Sequence, residues 1–108
     1  MAYNLKLAER IRSQLEGLPF VEKKMFGGTG YLLHGNMACG VLVDDLIVRV
    51  DPQEHAALLR KEHTHPFDMS GRPMKGWLVV DAEGCNTDAR LSKWIKKGID
   101  FALTLPPK

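Results

Sequence analysis

Several things are scarce or missing in this sequence, and each absence removes a class of protein. Cysteine is nearly absent: among 108 residues only Cys39 and Cys85 occur, far apart and in no C-x-x-C pattern. The opening Met1-Ala2-Tyr3-Asn4-Leu5-Lys6 lacks the apolar stretch of a signal peptide. Two reduced thiols in a cytoplasmic protein are therefore expected rather than a disulfide framework. No apolar run approaches the roughly 20 residues that span a bilayer, so no membrane partner is expected. Charge of one sign is also lacking, with 15 Lys+Arg against 13 Asp+Glu. Repeats, low-complexity segments and a linker long enough to divide the chain are absent as well.

What is present suits one domain over residues 1–108, since 44% of the residues are hydrophobic. The charge is mildly asymmetric. Residues 1–54 carry 6 basic and 7 acidic side chains, whereas residues 55–108 carry 9 and 6. That balance permits an acidic partner without demanding one.

Periodicity predicts a helix over about residues 4–17, with Leu7, Ala8, Ile11, Leu15 and Leu18 on one face and Gly17 and Pro19 as stops. From Phe20 to Val50 the pattern becomes short runs broken by glycine. Tyr31–His34, Met37–Val43 and Leu46–Val50 read as three strands, joined by turns at Gly35-Asn36 and Asp44-Asp45. Such short links force antiparallel neighbours. Asp51-Pro52 suggests a capped helix over residues 52–62 that buries Ala56, Leu58 and Leu59. Phe67-Asp68-Met69 adds a candidate short strand, and Gly76–Val80 a buried one. A last helix, capped by Asn86 or Thr87, runs to about Leu103 on an apolar face of Leu91, Trp94, Ile95, Gly98, Phe101 and Ala102. The fold class is α+β: a two-layer α-β-β-β-α-β-α domain with an antiparallel sheet and one optional extra strand.

Few residues offer chemistry. Gly27-Gly28-Thr29-Gly30 lacks the Walker lysine and precedes a strand, so it does not read as a phosphate loop. A glycine bulge that bends a long strand and admits a helix is the simpler reading. His55, His63 and His65 have no Cys or carboxylate cluster to complete a metal site. Cys39 has no activating base in sequence, and Asp44 and Asp45 point apart in an extended chain. No enzyme, cofactor or metal is therefore expected. Trp77 and Trp94 are expected to anchor the core where the sheet meets the last helix. Arg49 has Asp44 and Asp51 as candidate ion-pair partners.

Two surfaces remain. Arg90, Lys93 and Lys97 are spaced to line one face of the last helix, with Lys96 alongside, a stripe able to neutralise phosphates. The plainer reading is the solvated side of an amphipathic helix. Phe67, Met69, Met74 and Trp77 are candidates to line a small-molecule pocket between the sheet and the His63–Met74 loop.

The glycine and aromatic punctuation forms an ordered series. Met25-Phe26-Gly27-Gly28-Thr29-Gly30-Tyr31 is followed by Gly35-Asn36-Met37, Gly40, Asp44-Asp45-Leu46 and Arg49, then Pro66-Phe67, Gly71-Arg72-Pro73-Met74 and Gly76-Trp77. This series resembles the N-terminal domain of the TfoX/Sxy family, proteins linked to regulation of natural competence. The resemblance covers nearly the whole sequence. It implies a small α+β domain similar in topology to type III secretion chaperones, and no catalytic residues. Longer members carry a helical C-terminal domain, and with the sequence ending at Lys108 a stand-alone N-terminal module is expected. The resulting expectation is a non-enzymatic regulatory or adaptor module acting through protein–protein contacts, with a homodimer left open. The alternatives are nucleic-acid binding through Arg90, Lys93, Lys96 and Lys97, and small-molecule binding.

Overall fold

A computed structural model of the chain describes residues 4–25, 27–68 and 73–107. Helix α1 (Leu5–Gln14) starts where the Asn4 side chain accepts a hydrogen bond from the Leu7 amide at 3.0 Å, capping a group with no helical partner. Its apolar stripe buries Leu7, Ala8 and Ile11, continued by Leu15. Regular helix ends at Gln14. Turns follow until Gly17, at φ +88°, redirects the chain.

Four strands, not the expected three, occupy the next segment: β1 (Phe20–Met25), β2 (Gly28–Leu33), β3 (Asn36–Leu42) and β4 (Asp45–Arg49). Strand β1 hid in the sequence because Val21-Glu22-Lys23-Lys24 does not alternate. All four of those residues are exposed, as suits an edge strand whose charges discourage non-native pairing. Both expected hairpin turns lie one residue earlier than predicted. Leu33 pairs with Asn36, so the first turn is His34-Gly35, with φ +52° and +85° as a type I′ turn requires. Leu42 pairs with Asp45, which places Val43-Asp44 in the second turn and forces Val43 to φ +57°.

The expected helix over residues 52–62 shrinks to one turn, α2 (His55–Leu58). The Asp51 carboxylate accepts from the Gln53 amide at 2.9 Å, and this local turn replaces a helical cap. Leu58 is buried and Leu59 half-buried, but Ala56 is exposed. Strands β5 (Thr64–Asp68) and β6 (Pro73–Val80), a 3-10 turn (Ala82–Cys85) and helix α3 (Asp88–Ala102) complete the chain. Thr87 caps α3 by accepting from the Arg90 amide at 3.2 Å.

The six strands form one antiparallel sheet in the order β1-β2-β3-β4-β6-β5. The expected α+β two-layer class is correct. All three helices pack on one sheet face, where Tyr31, Cys39, Val41, Leu46, Val48, Leu78 and Val80 meet Leu7, Ile11, Leu58, Leu91 and Ile95. Alternation sends Leu32, Ile47 and Val79 to the opposite face, which no described helix covers. Across that face Gly30 lies opposite Gly40, and a Cβ built on Gly40 would meet the Met37 methyl at 2.8 Å. Met37 thus folds over the glycine floor.

The glycine run has a different role from the one expected. Gly27 (φ +77°) turns the chain from β1 into β2, while a Cβ on Gly28 would collide with the Val41 carbonyl. Gly28 is needed for strand-to-strand closeness, not for a helix. The register break lies further along, between Tyr31 and Leu32, where Ala38 is the extra residue on β3. Helix α3 approaches the sheet at that break: a Cβ on Gly98 would collide with the Ala38 carbonyl oxygen.

Candidate functional site

The amphipathic build of α3 decides where its basic residues point. Leu91, Ile95, Gly98 and Ala102 fix the buried stripe, so Arg90, Lys93 and Lys97 emerge along one flank, with Trp94 half-buried between that flank and the core. The flank forms one wall of a cleft of about 640 Å³. Its other lining is Lys61-Glu62-His63, the segment between α2 and β5, together with Gly84.

Local chemistry holds that segment in place. The Thr64 hydroxyl lies 2.6 Å from the Lys61 carbonyl oxygen and 3.0 Å from that of Leu58, tying the turn back on α2. His63 adopts φ +68°, and its Nδ1 sits 3.2 Å from the Asp81 carboxylate. The other Asp81 oxygen is 2.9 Å from His65 Nε2, and Asp81 also accepts from the Gly84 amide at 3.2 Å. Asp81 is therefore held below the usual carboxylate range, chiefly by the His65 hydrogen bond. A Cβ on Gly84 would meet His63 Cβ at 2.8 Å, so glycine there lets the 3-10 turn slide beneath the histidine.

Five cationic side chains line the cleft, Lys61, Arg90, Lys93, Lys96 and Lys97, against the carboxylates of Glu62 and Asp100. Lys96 pairs with Asp100 at 3.1 Å and Lys97 with Glu54 at 3.5 Å. Arg90 donates to the Glu83 carbonyl at 3.0 Å and to Asn86 at 3.4 Å. Lys61 and Lys93 have no ion-pair partner among the described residues. The structure thus brings the four basic residues singled out in the sequence to one cleft. Lys61, His63, Gly84 and Trp94 complete it. The basic Arg60-Lys61 pair was the only local signal for that segment, and nothing in the spacing showed that it would line a cleft with α3.

The other expectations fare differently. Phe67 is buried with its ring 6.1 Å from that of Trp77, but Met69, the Met74 side chain, Phe26 and Gly71 lie outside the described residues. Trp94 packs against the core as expected. Trp77 instead stands across from Arg49, whose guanidinium lies 5.2 Å from the Trp77 ring and 5.5 Å from that of Phe101. Neither Asp44 nor Asp51 pairs with Arg49. Cys39 is fully buried and its thiol is pushed up to about 12, while burial also raises Cys85; both thiols are free. Among the described residues, no group of three His, Cys, Asp or Glu side chains is placed to hold a metal ion. None of their helices is long and apolar enough to cross a membrane.

A two-layer α+β domain with a basic cleft beside its last helix is a class of fold and surface, not yet a family. The TfoX N-terminal domain family supplies that step, matching residues 13–102 of this 108-residue chain. The chain belongs to that family, which is associated with the regulation of competence. No curated protein matches it.

Proposed function

We propose that this chain is a non-enzymatic cytoplasmic regulatory module that works by protein–protein contact along strand β1. The observation that carries this reading is the sheet's open side. Edge strand β1 pairs only with β2, and Val21 on it is 62% exposed. Half-buried Leu32, Met37, Leu42 and Val79 extend the apolar surface inward. An added strand would satisfy the free backbone groups of β1, with side chains setting specificity.

Charge decides what kind of strand fits. A two-fold pairing of β1 with a second copy centred on Glu22, Lys23 or Lys24 would set like charges against each other at the axis. Glu22 is already held by Arg12 at 2.9 Å and by the Tyr31 hydroxyl at 2.9 Å. The charges offered outward are therefore Lys23 and Lys24, which favour an acidic strand from a different protein over a homodimer.

The test is a photo-activated cross-linker placed at position 21 in cells, with exposed position 92 as control. A discrete adduct from position 21 alone, rebuilt from purified partner and lost with Val21→Glu, supports the reading. Equal labelling from both positions, or an adduct containing only a second copy of this chain, overturns it. A second reading, nucleic-acid binding through Arg90, Lys93, Lys96 and Lys97, is favoured by their convergence with Lys61 on one cleft. Salt-dependent retention of single-stranded or duplex DNA, weakened by Lys93→Glu, supports that second reading.

A further inference from the structure

We infer that the cleft beside α3 seats a phosphate-bearing ligand with a flat ring, a single nucleotide unit, with phosphates on Lys61 and Lys93 and the ring against Trp94. The inference deepens the second reading above, because it turns a basic helix face into a shaped pocket. It stands apart from the β1 contact, which lies at the other end of the sheet order.

Three observations carry it. The volume of about 640 Å³ falls in the range of small-ligand sites and exceeds what a bare phosphate needs. The sign is fixed, since five cations face two carboxylates, and the three of them without an ion-pair partner among the described residues stand on two segments: Lys61 after α2, Arg90 and Lys93 on α3. An anion between the two segments gains from both without breaking an existing pair. Arg90, though tied to the Glu83 carbonyl, still lines the same space. The third observation is Trp94. Trp94 packs against the core yet keeps part of its surface in the cleft beside four basic residues of its own helix, where a planar ring gains by stacking on it.

The walls are also built to last. Helix α3 is anchored along its whole length by Leu91, Ile95, Gly98 and Ala102, and the Lys61–His63 segment by the Thr64, Asp81 and Gly84 bonds already described. The pocket is open before any ligand arrives, so little ordering opposes binding.

Two-dimensional amide NMR of the full chain provides the test, with adenosine diphosphate, a short oligothymidylate, inorganic phosphate, adenosine and polyglutamate as separate probes. The expected result is a saturable shift of the Trp94 indole and of the Lys61–His63 and Arg90–Lys97 amides with a nucleotide probe. Lys61→Glu and Lys93→Glu, both at exposed sites, are each expected to weaken it about tenfold or more. Trp94→Leu is expected to weaken the nucleotide but not inorganic phosphate. Response to the diphosphate alone assigns the site to a free nucleotide; stronger, more salt-dependent response to the oligonucleotide assigns it to a nucleic-acid strand. Either supports the inference. It is overturned if no probe shifts the cleft at millimolar concentration, or if phosphate or polyglutamate shifts it as strongly as the nucleotides do. Oligonucleotide binding that leaves the Trp94 indole unmoved would also overturn it, while sparing the broader nucleic-acid reading.

Discussion

Replacing Gly98 by alanine should destabilise this protein, although the usual rule gives the opposite sign. Gly98 is the eleventh residue of the fifteen-residue helix α3, where alanine ordinarily gains roughly 1 kcal/mol over glycine. Here the new methyl would collide with the Ala38 carbonyl oxygen and lie 3.0 Å from the Ala38 carbonyl carbon. Those are backbone atoms at the β3 bulge, with no rotamer to turn aside. Ordinary van der Waals separation requires α3 to retreat by about 1 Å, which loosens Leu91, Ile95 and Ala102 against the sheet together. Overpacking of this kind costs roughly 1–3 kcal/mol, and rigid backbone on the receiving side puts it at the upper end. Less the helical gain, the net loss is about 2 kcal/mol. For a domain of this size that is a fall in melting temperature of about 10 °C. Thermal unfolding followed by circular dichroism reads it, with Ser92→Ala on the exposed side of the same helix as the control. A Gly98→Ala protein that melts at or above the parent temperature refutes the reasoning and means that α3 stands further from the sheet.

Three other perturbations test separate parts of the fold. Val43 is a β-branched residue at φ +57°, so Val43→Gly should raise the midpoint of chemical denaturation by an amount worth about 1 kcal/mol, and an unchanged midpoint would argue against that turn. Asp81 is held below its ordinary pKa, so its contribution is present above the unfolded value near 4 and fades as pH falls through the lower folded value. Melting temperature plotted against pH should therefore drop on the acid side in the parent and flatten there in Asp81→Asn. Cys39 and Cys85 are buried with raised pKa values, so iodoacetamide should label neither in the native state and both after unfolding; rapid native labelling of Cys39 would contradict its burial.

Much of this architecture was readable where local rules and tertiary demands agree. Helix α3 is the clearest case: Thr87 caps it, its stripe recurs at helical spacing, and the basic flank follows from the stripe. The hairpin turns were legible to within one residue, because glycine and short polar residues cluster there whichever of them takes the positive φ. Strand β1 was not legible, since an edge strand has little to bury and Glu22 serves Arg12 and Tyr31 in place of an apolar core. The helix expected over residues 52–62 failed because Asp51 closes a side-chain turn at the position where a cap was predicted. The cleft was half legible. Its α3 wall is a pattern in sequence, whereas Lys61 reaches it only through the packing of α2, Thr64 and Asp81.

The place of β6 between β4 and β5 also governs how the chain is made. Strands β1 to β4 are linked by two-residue turns, so each finds its neighbour as soon as it leaves the ribosome. Strand β5 emerges with nothing to pair with, because its one neighbour, β6, is synthesised after it. The helix that packs over β3 and β4 comes last of these elements. A nascent chain therefore carries a half-built sheet with an unsealed apolar face until residues 88–102 are free of the exit tunnel. That interval, rather than the finished domain, is when this protein most needs a chaperone.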